Sequence, residues 1–166
     1  MQDSGTYNDA VGHRRWILYP QTQIMGTGDI PLTNEYPSSN ALVVFDLHVW
    51  EERPDTRENF VAWPPPGYVP YPVVFTRWSF SYPDADFSQA IVSMHREDQG
   101  LEIIQVPSVE DYGENTIVWQ IEDMDTDVDW PKPQEDTFFT INIADVLVDE
   151  QLRDFSYQVI IFDPDS

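Results

Sequence analysis

The sequence predicts a mainly β protein whose C-terminal part is an antiparallel β-sandwich. Short segments rich in β-branched and aromatic residues recur between Pro, Gly and Asp residues, which is the pattern of strands joined by turns. No long stretch repeats apolar residues with the period of about 3.6 that an amphipathic helix needs. Near the C-terminus, apolar side chains alternate so that one face of a strand carries Phe155, Tyr157, Val159 and Ile161.

These segments predict strands at 15–19, 41–50, 73–82, 90–95, 101–106, 116–121, 137–143 and 155–162. The strand at 116–121 repeats the alternation, because Ile117, Trp119 and Ile121 fall on one face. Turn signals such as Pro83-Asp84 separate the later strands at short intervals. This spacing is typical of an antiparallel sandwich of the immunoglobulin or fibronectin kind.

The chain divides into three predicted regions, at 1–53, 54–72 and 73–166. The middle region contains consecutive prolines at 64–66, and proline fixes φ and favours an extended polyproline geometry. We interpret this region as a stiff linker in front of the sandwich. The alternative is that it is a proline-rich ligand for an aromatic groove.

Composition excludes several classes of partner. Thirty Asp and Glu against eight Lys and Arg leave a formal net charge of -22, which repels nucleic acids and anionic lipids. No apolar stretch approaches the ~18 residues of a membrane helix, so we expect no membrane insertion. The same charge attracts cations, of which calcium is the first candidate and basic proteins the second. Without cysteine, the chain can form no disulfide and no thiolate zinc site.

A short basic segment at 12–18, which we call the basic island, contrasts with the rest of the chain. It contains His13, Arg14 and Arg15 between a glycine and an apolar run. A neutral imidazole binds divalent metals and transfers protons near neutral pH, so His13 is a candidate metal ligand or proton carrier. The alternative is a histidine that is hydrogen-bonded at a strand end, since catalytic zinc sites have three protein ligands. The two arginines can clamp a carboxylate or form salt bridges within the chain.

The other two histidines are weaker candidates. His48 alternates with Asp46 and Trp50, so a strand would place the imidazole beside a carboxylate on one face. A half-exposed sheet face explains this alternation equally well. His95 falls next to a predicted turn, where polar residues are usually solvated.

An acidic run places carboxylates at alternate positions, at Asp123, Asp125, Asp127 and Asp129. If the run is extended, the four carboxylates share one face, and their repulsion favours either full solvation or a bound calcium ion. The run is not an EF-hand, because Trp130 stands where a loop beginning at Asp125 needs its glycine.

Part of the chain resembles the latter half of bacterial CAP domains, the superfamily of cysteine-rich secretory, antigen 5 and pathogenesis-related proteins. The matching residues are Val11-Gly12-His13-Arg14-Arg15-Trp16, Met25-Gly26-Thr27-Gly28 and the apolar segment at 41–45. The resemblance implies that 1–53 is the C-terminal part of a CAP-like domain. It also implies that His13 is the cleft histidine, which in the family faces a second histidine and acidic residues and can hold a divalent metal. The helices that carry those partners in the family have no counterpart here.

We therefore predict a non-catalytic extracellular module, the C-terminal part of a secreted bacterial CAP-like protein, stabilised by calcium. Its partner would be a protein or a glycan at the cell surface. The polar start lacks the regions of a signal peptide, so the chain is either cytosolic or begins downstream of its native start. One alternative is a metal-dependent hydrolase in which His13, joined by Asp46 and His48, holds an ion that activates water. Another is a β-rich subunit of an extracellular assembly whose copies join through exposed strand edges.

Overall fold

The structure is a computed structural model that describes residues 2–5, 7–110 and 112–166. In this part of the chain there is one α-helix, α1 (Gly12–Ile17), and there are two 3-10 helices, Leu47–Trp50 and Tyr71–Val73. The strands are β1 (Gly26–Ile30), β2 (Ser39–Val43), β3 (Val61–Trp63), β4 (Gly67–Pro70), β5 (Arg77–Ser81), β6 (Ile91–Arg96), β7 (Gln99–Leu101), β8 (Ile103–Val106), β9 (Thr116–Ile121), β10 (Thr137–Val148) and β11 (Gln151–Phe162). None of the described helices is long and apolar enough to cross a membrane.

Strands β3 to β11 form two sheets, and the prediction of a mainly β antiparallel sandwich is confirmed. One sheet has the order β4-β11-β10-β6-β7, and the other has the order β3-β5-β9-β8. Neighbouring strands are antiparallel except β4 and β11, which run parallel. The four-stranded sheet has the ABED order of an immunoglobulin-like sandwich, and the five-stranded sheet contains the corresponding C, F and G strands.

The core lies between the two sheets and follows the period-two pattern of the sequence. The fully buried side chains on its inner faces include Trp78 and Phe80 on β5, Trp119 on β9, Ile141 on β10 and Val159 on β11. The alternation of apolar side chains in the sequence at 116–121 and 155–162 therefore marks the core-facing sides of two central strands.

An aromatic cluster ties the two sheets together. Trp78 on β5 packs against Phe139 on β10 with ring centroids 5.6 Å apart, and Trp130 contacts these two rings at 5.7 and 5.8 Å. Strands β5 and β10 correspond to the B and F strands that a disulfide joins in antibody domains. The chain has no cysteine, so the burial of three large rings joins the sheets at this place instead.

The proline-rich region is part of the sandwich and does not act as a spacer in front of it. Strand β3 pairs with β5 in one sheet, and β4 pairs with β11 in the other. Ala62 and Val69 from these strands enter the shared core. Both strands lie at sheet edges, where proline is tolerated because one side of the strand needs no N–H donor. The prolines thus occur where the chain passes from one sheet to the other.

Agreement between predicted and observed strands is closest in the C-terminal half. The segment at 116–121 coincides with β9, whereas the predicted strands at 137–143 and 155–162 extend into the 12-residue strands β10 and β11. Asp149 and Glu150 join these two strands with φ of 50° and 63°, the positive values of a type I′ hairpin turn. The predicted strand at 41–50 is correct only at its start, because its end is the 3-10 helix.

Candidate functional site

The basic island forms α1, so the prediction of a strand at 15–19 is wrong. The cause lies ten residues earlier in the chain. The Asp3 carboxylate accepts hydrogen bonds from the backbone N–H groups of His13, at 3.2 Å, and Arg14, at 3.1 Å, and so caps the helix N-terminus. Arg14 and Arg15 are adjacent and both buried, whereas neighbouring residues of a strand would point to opposite faces.

Arg14 anchors α1 to the outer face of the four-stranded sheet. Its guanidinium donates to the carbonyl oxygen of Arg77 at 2.7 Å and to Ser79 Oγ at 3.3 Å, both on β5. Arg77 reaches back to the N-terminal segment, donating to the carbonyl oxygens of Asp3 at 2.5 Å and Gly5 at 2.9 Å. Burial lowers the pKa of Arg14 to about 10, because a desolvated guanidinium is less stable in its charged form.

Arg15 holds the other side of the helix. It donates to the carbonyl oxygens of Val109 at 2.7 Å and Glu114 at 3.0 Å, and burial lowers its pKa to about 10. Its guanidinium also lies 5.6 Å from the centre of the Tyr112 ring, a cation–π contact. The same ring packs against Gly12, where an added Cβ would approach it to 2.9 Å. The glycine of the Gly-His pair is therefore needed for close packing.

Glu114 is, with Asp3, a buried carboxylate at this interface. Burial raises its pKa, and the ion pair with Arg53 opposes that shift. Between α1 and the sheet remains a cavity of about 10 Å³, which is lined by residues including Arg14, Arg15 and Glu114 and has room for about one water molecule. Among the described residues, this interface is packed as a docking contact.

His13 lies at the rim of this interface. Its Nδ1 is 2.7 Å from Asp3 Oδ1, and its side chain is 62% exposed while that of Asp3 is fully buried. One ring nitrogen is thus engaged by a carboxylate that also caps the helix. Across residues 2–5, 7–110 and 112–166, no three His, Asp or Glu side chains are gathered as a metal site would need.

Asp46 and His48 form a separate pair. Asp46 caps the 3-10 helix, since Oδ1 accepts from the backbone N–H of His48 at 3.0 Å. Its Oδ2 lies 2.9 Å from His48 Nδ1 and also accepts from the N–H of Ile24 at 2.8 Å. The hydrogen bond that the His48 ring makes to the Asp46 carboxylate raises the pKa of His48. The structure brings this imidazole and carboxylate together through a cap, not on a strand face, and does not group them with His13.

The acidic run lies in turns after β9 and is not extended. Asp125 accepts from the backbone N–H of Asp127 at 2.9 Å, and Asp127 accepts from the N–H of Gly5 at 2.7 Å. One carboxylate of the run therefore holds the N-terminal segment. All four aspartates of the run are exposed. Calcium binding by this run stays a prediction.

The hairpin of β1 and β2 is exposed along its whole length, because all ten of its strand residues are exposed. Pairing places Gly26 opposite Val43, Gly28 opposite Ala41, and Ile30 opposite Ser39. These positions share one side of the hairpin, which we call the apolar hairpin face: Gly26, Gly28, Ile30, Ser39, Ala41 and Val43. The other side carries three polar residues and Leu42, and its polar groups bond one another, because Asn40 donates to Asp29 at 2.6 Å and to Thr27 at 3.0 Å.

The chain matches no known protein-family model and no curated protein. The resemblance to CAP domains therefore continues to depend on the residues at 11–45 alone.

Sequence reasoning missed the residues that position the basic island. Asp3, Arg77 and Glu114 were not identified, because each acts on a segment far away in sequence. The hairpin was missed as well, since Gly26 and Gly28 have low strand propensity. The available signal was composition: half of the eight basic residues, namely Arg14, Arg15, Arg53 and Arg77, meet at one interface.

Proposed function

We propose that this chain is a non-catalytic binding or structural module, the C-terminal part of a secreted CAP-like protein. The observation that carries this proposal is the concentration of exposed apolar side chains around the β1–β2 hairpin. Of the 21 large apolar side chains that are exposed in the described residues, ten lie between Ile24 and Trp50. Concentrations of exposed apolar side chains are typical of interaction surfaces.

The chemistry of the basic island supports a structural role for it. Arg14 and Arg15 donate to backbone carbonyl oxygens of the sandwich, so their charges are used in docking. The Asp3 carboxylate accepts the hydrogen bonds that cap the helix and also contacts the His13 ring. A module that joins an N-terminal segment to a sandwich needs such contacts. The groups that make them have few hydrogen-bonding positions left for a substrate.

A metal-dependent hydrolase remains the competing proposal. In that proposal, His13 is a ligand of the catalytic metal ion. It needs a third ligand near the pair of His13 and Asp3. Asp46 and His48, which are the residues of that alternative, satisfy each other at the base of the hairpin. The geometry therefore favours a module over a hydrolase.

Calorimetric titration with zinc separates the two proposals. For the module, the wild type and His13→Ala respond to zinc identically, and a His48→Ala control does the same. Stoichiometric zinc binding that disappears in His13→Ala, together with ester or peptide hydrolysis by the wild type, would overturn the proposal. A parallel titration with calcium, repeated on Asp123→Asn/Asp129→Asn, tests the acidic run without disturbing the carboxylate that holds Gly5.

A further inference from the structure

We propose that a cavity at one end of the sandwich binds a small zwitterion with an apolar side chain, of the class of a free aromatic or aliphatic amino acid. The cavity has a volume of about 540 Å³ and is lined by the segment between β9 and β10 and by the turn between β6 and β7. This size is within the range of about 300–1,000 Å³ that is usual for small-molecule sites. None of the described residues that line it belongs to the hairpin region at 24–50, so the inference goes beyond the proposed function.

The floor of the cavity is apolar and opens onto the core. Trp130 and Phe139, two of the three rings of the aromatic cluster, line it although they are only 7% and 3% exposed. The half-buried side chains of Leu101, Ile121 and Met124 add to the apolar lining. An apolar side chain that enters the cavity is removed from water and packs against aromatic rings, and both effects favour binding.

Arg96 supplies a cation at the mouth of the cavity. Along β6 it follows the buried residues Val92 and Met94 at period two, and it is paired with the buried Phe139 of β10. It therefore occupies a core-facing position, where the cavity exposes it to solvent. None of the salt bridges in the described parts of the chain involves Arg96. Its guanidinium is available to a carboxylate of a ligand, which it can bind by two parallel hydrogen bonds.

The other charged groups of the lining are partly engaged and partly available. Lys132 forms a salt bridge with Asp163 at 2.8 Å, and Glu97 accepts from a backbone N–H at 3.1 Å. Glu135 and Asp136 are exposed, and neither takes part in a salt bridge between described residues. The available groups are thus one guanidinium and two carboxylates. They match a ligand that carries both a carboxylate and an ammonium group.

Charge favours a zwitterion over a simple ion. The net charge of -22 repels an anion from the whole surface. Arg96 opposes a simple cation at the mouth of the cavity, because like charges repel most at short distance. A zwitterion has no net charge for the field of the protein to repel, and each of its charged groups has an opposite charge in the lining.

The first test compares three probes that share a phenyl ring: L-phenylalanine, phenylpropionate, which lacks the ammonium group, and phenethylamine, which lacks the carboxylate. In NMR titrations of the whole chain, we expect L-phenylalanine to bind about tenfold more tightly than either other probe, because each of these lacks a charge-assisted hydrogen bond. Equal affinity for the three probes, or no binding of L-phenylalanine at about 10 mM, would overturn the proposal.

The second test assigns each charged group of the ligand to its partner. Arg96→Gln should weaken the binding of L-phenylalanine about tenfold and should not weaken that of phenethylamine. Glu135→Gln/Asp136→Asn should weaken the binding of phenethylamine and should not weaken that of phenylpropionate. Arg153→Gln is the matched control, because it replaces an arginine of β11 that does not line the cavity, and it should leave all three affinities unchanged.

Wild-type affinities in Arg96→Gln, or the same loss in Arg153→Gln as in Arg96→Gln, would contradict the assignment of the ligand carboxylate to this cavity. The replaced residues are exposed, so we expect all three variants to fold, and unchanged melting temperatures verify this.

Discussion

Replacing Asp3 with alanine tests whether the N-terminal segment is held by a buried charge network. The Asp3 side chain is fully buried and accepts from two amides of α1 and from the His13 ring. It is also the carboxylate whose charge favours the protonated form of buried Arg14. Removing one partner of a buried charge pair costs about 3–5 kcal/mol, and the lost helix cap is part of that cost. Because Arg14 keeps its carbonyl acceptors, we expect a loss near the lower end, about 3 kcal/mol.

This loss can be measured by thermal unfolding and hydrogen exchange. At about 2–4 °C per kcal/mol for a chain of this size, Asp3→Ala should lower the melting temperature by about 6–12 °C. If the segment detaches before the sandwich unfolds, the amides of 12–17 should instead lose their protection while β9 and β10 keep theirs. Asp3→Asn retains an acceptor without the charge and should lose about half as much, since charge-assisted hydrogen bonds are roughly twice as strong as neutral ones.

Asp9→Ala is the matched control for this experiment. Asp9 also bonds a buried arginine, Arg77, at 2.7 Å, but its own side chain is 52% exposed. We expect a loss below about 1 kcal/mol, the usual value for an exposed partner. If Asp3→Ala shifts the melting temperature by no more than Asp9→Ala and leaves the amides of α1 protected, the reasoning on buried charge is refuted.

Two further predictions concern the 3-10 helix and the core. Asp46→Asn should return the pKa of His48 toward its ordinary value of 6.5, as followed by NMR titration of the His48 ring. In the wild type, the stabilisation by this pair is present below pH 6.5 and is lost as pH rises through the raised pKa of His48, and it is also lost in acid as pH falls through the lowered pKa of Asp46. Trp130→Ala should destabilise the sandwich by about 3–5 kcal/mol in chemical denaturation, because it leaves a cavity against Trp78 and Phe139. A loss below 1 kcal/mol would show that the aromatic cluster does not join the sheets.

The sandwich was predictable because its signal is local and repeated. Each central strand exposes one face to the core, so alternation along 116–121 and 155–162 directly reports burial. The edge strands β3 and β4 gave no such signal, since they are short and lie on either side of the prolines at 64–66. Their place in the sheets depends on their pairing partners, which are β5 for β3 and β11 for β4. Strand β11 is far from β4 in sequence.

The helix α1 was not predictable from its own residues. Its six residues are too few to form a stable helix or to show a period, because helix nucleation is unfavourable. It is stabilised by the Asp3 cap and by the contacts of Arg14 and Arg15 with the sheet. A sequence pattern contains none of these contacts.

By itself, the sequence determined the class of fold, the acidic surface and the position of the core strands, because hydrophobic alternation and net charge depend on residue type alone. Only the tertiary structure decided what the basic island does and which surface is left uncovered. An arginine can bind either a ligand or a backbone carbonyl. The groups that surround it in the folded protein decide between the two. In this fold, the groups around Arg14 and Arg15 are carbonyl oxygens of the sandwich, and ten of the 21 exposed large apolar side chains in the described residues lie between Ile24 and Trp50.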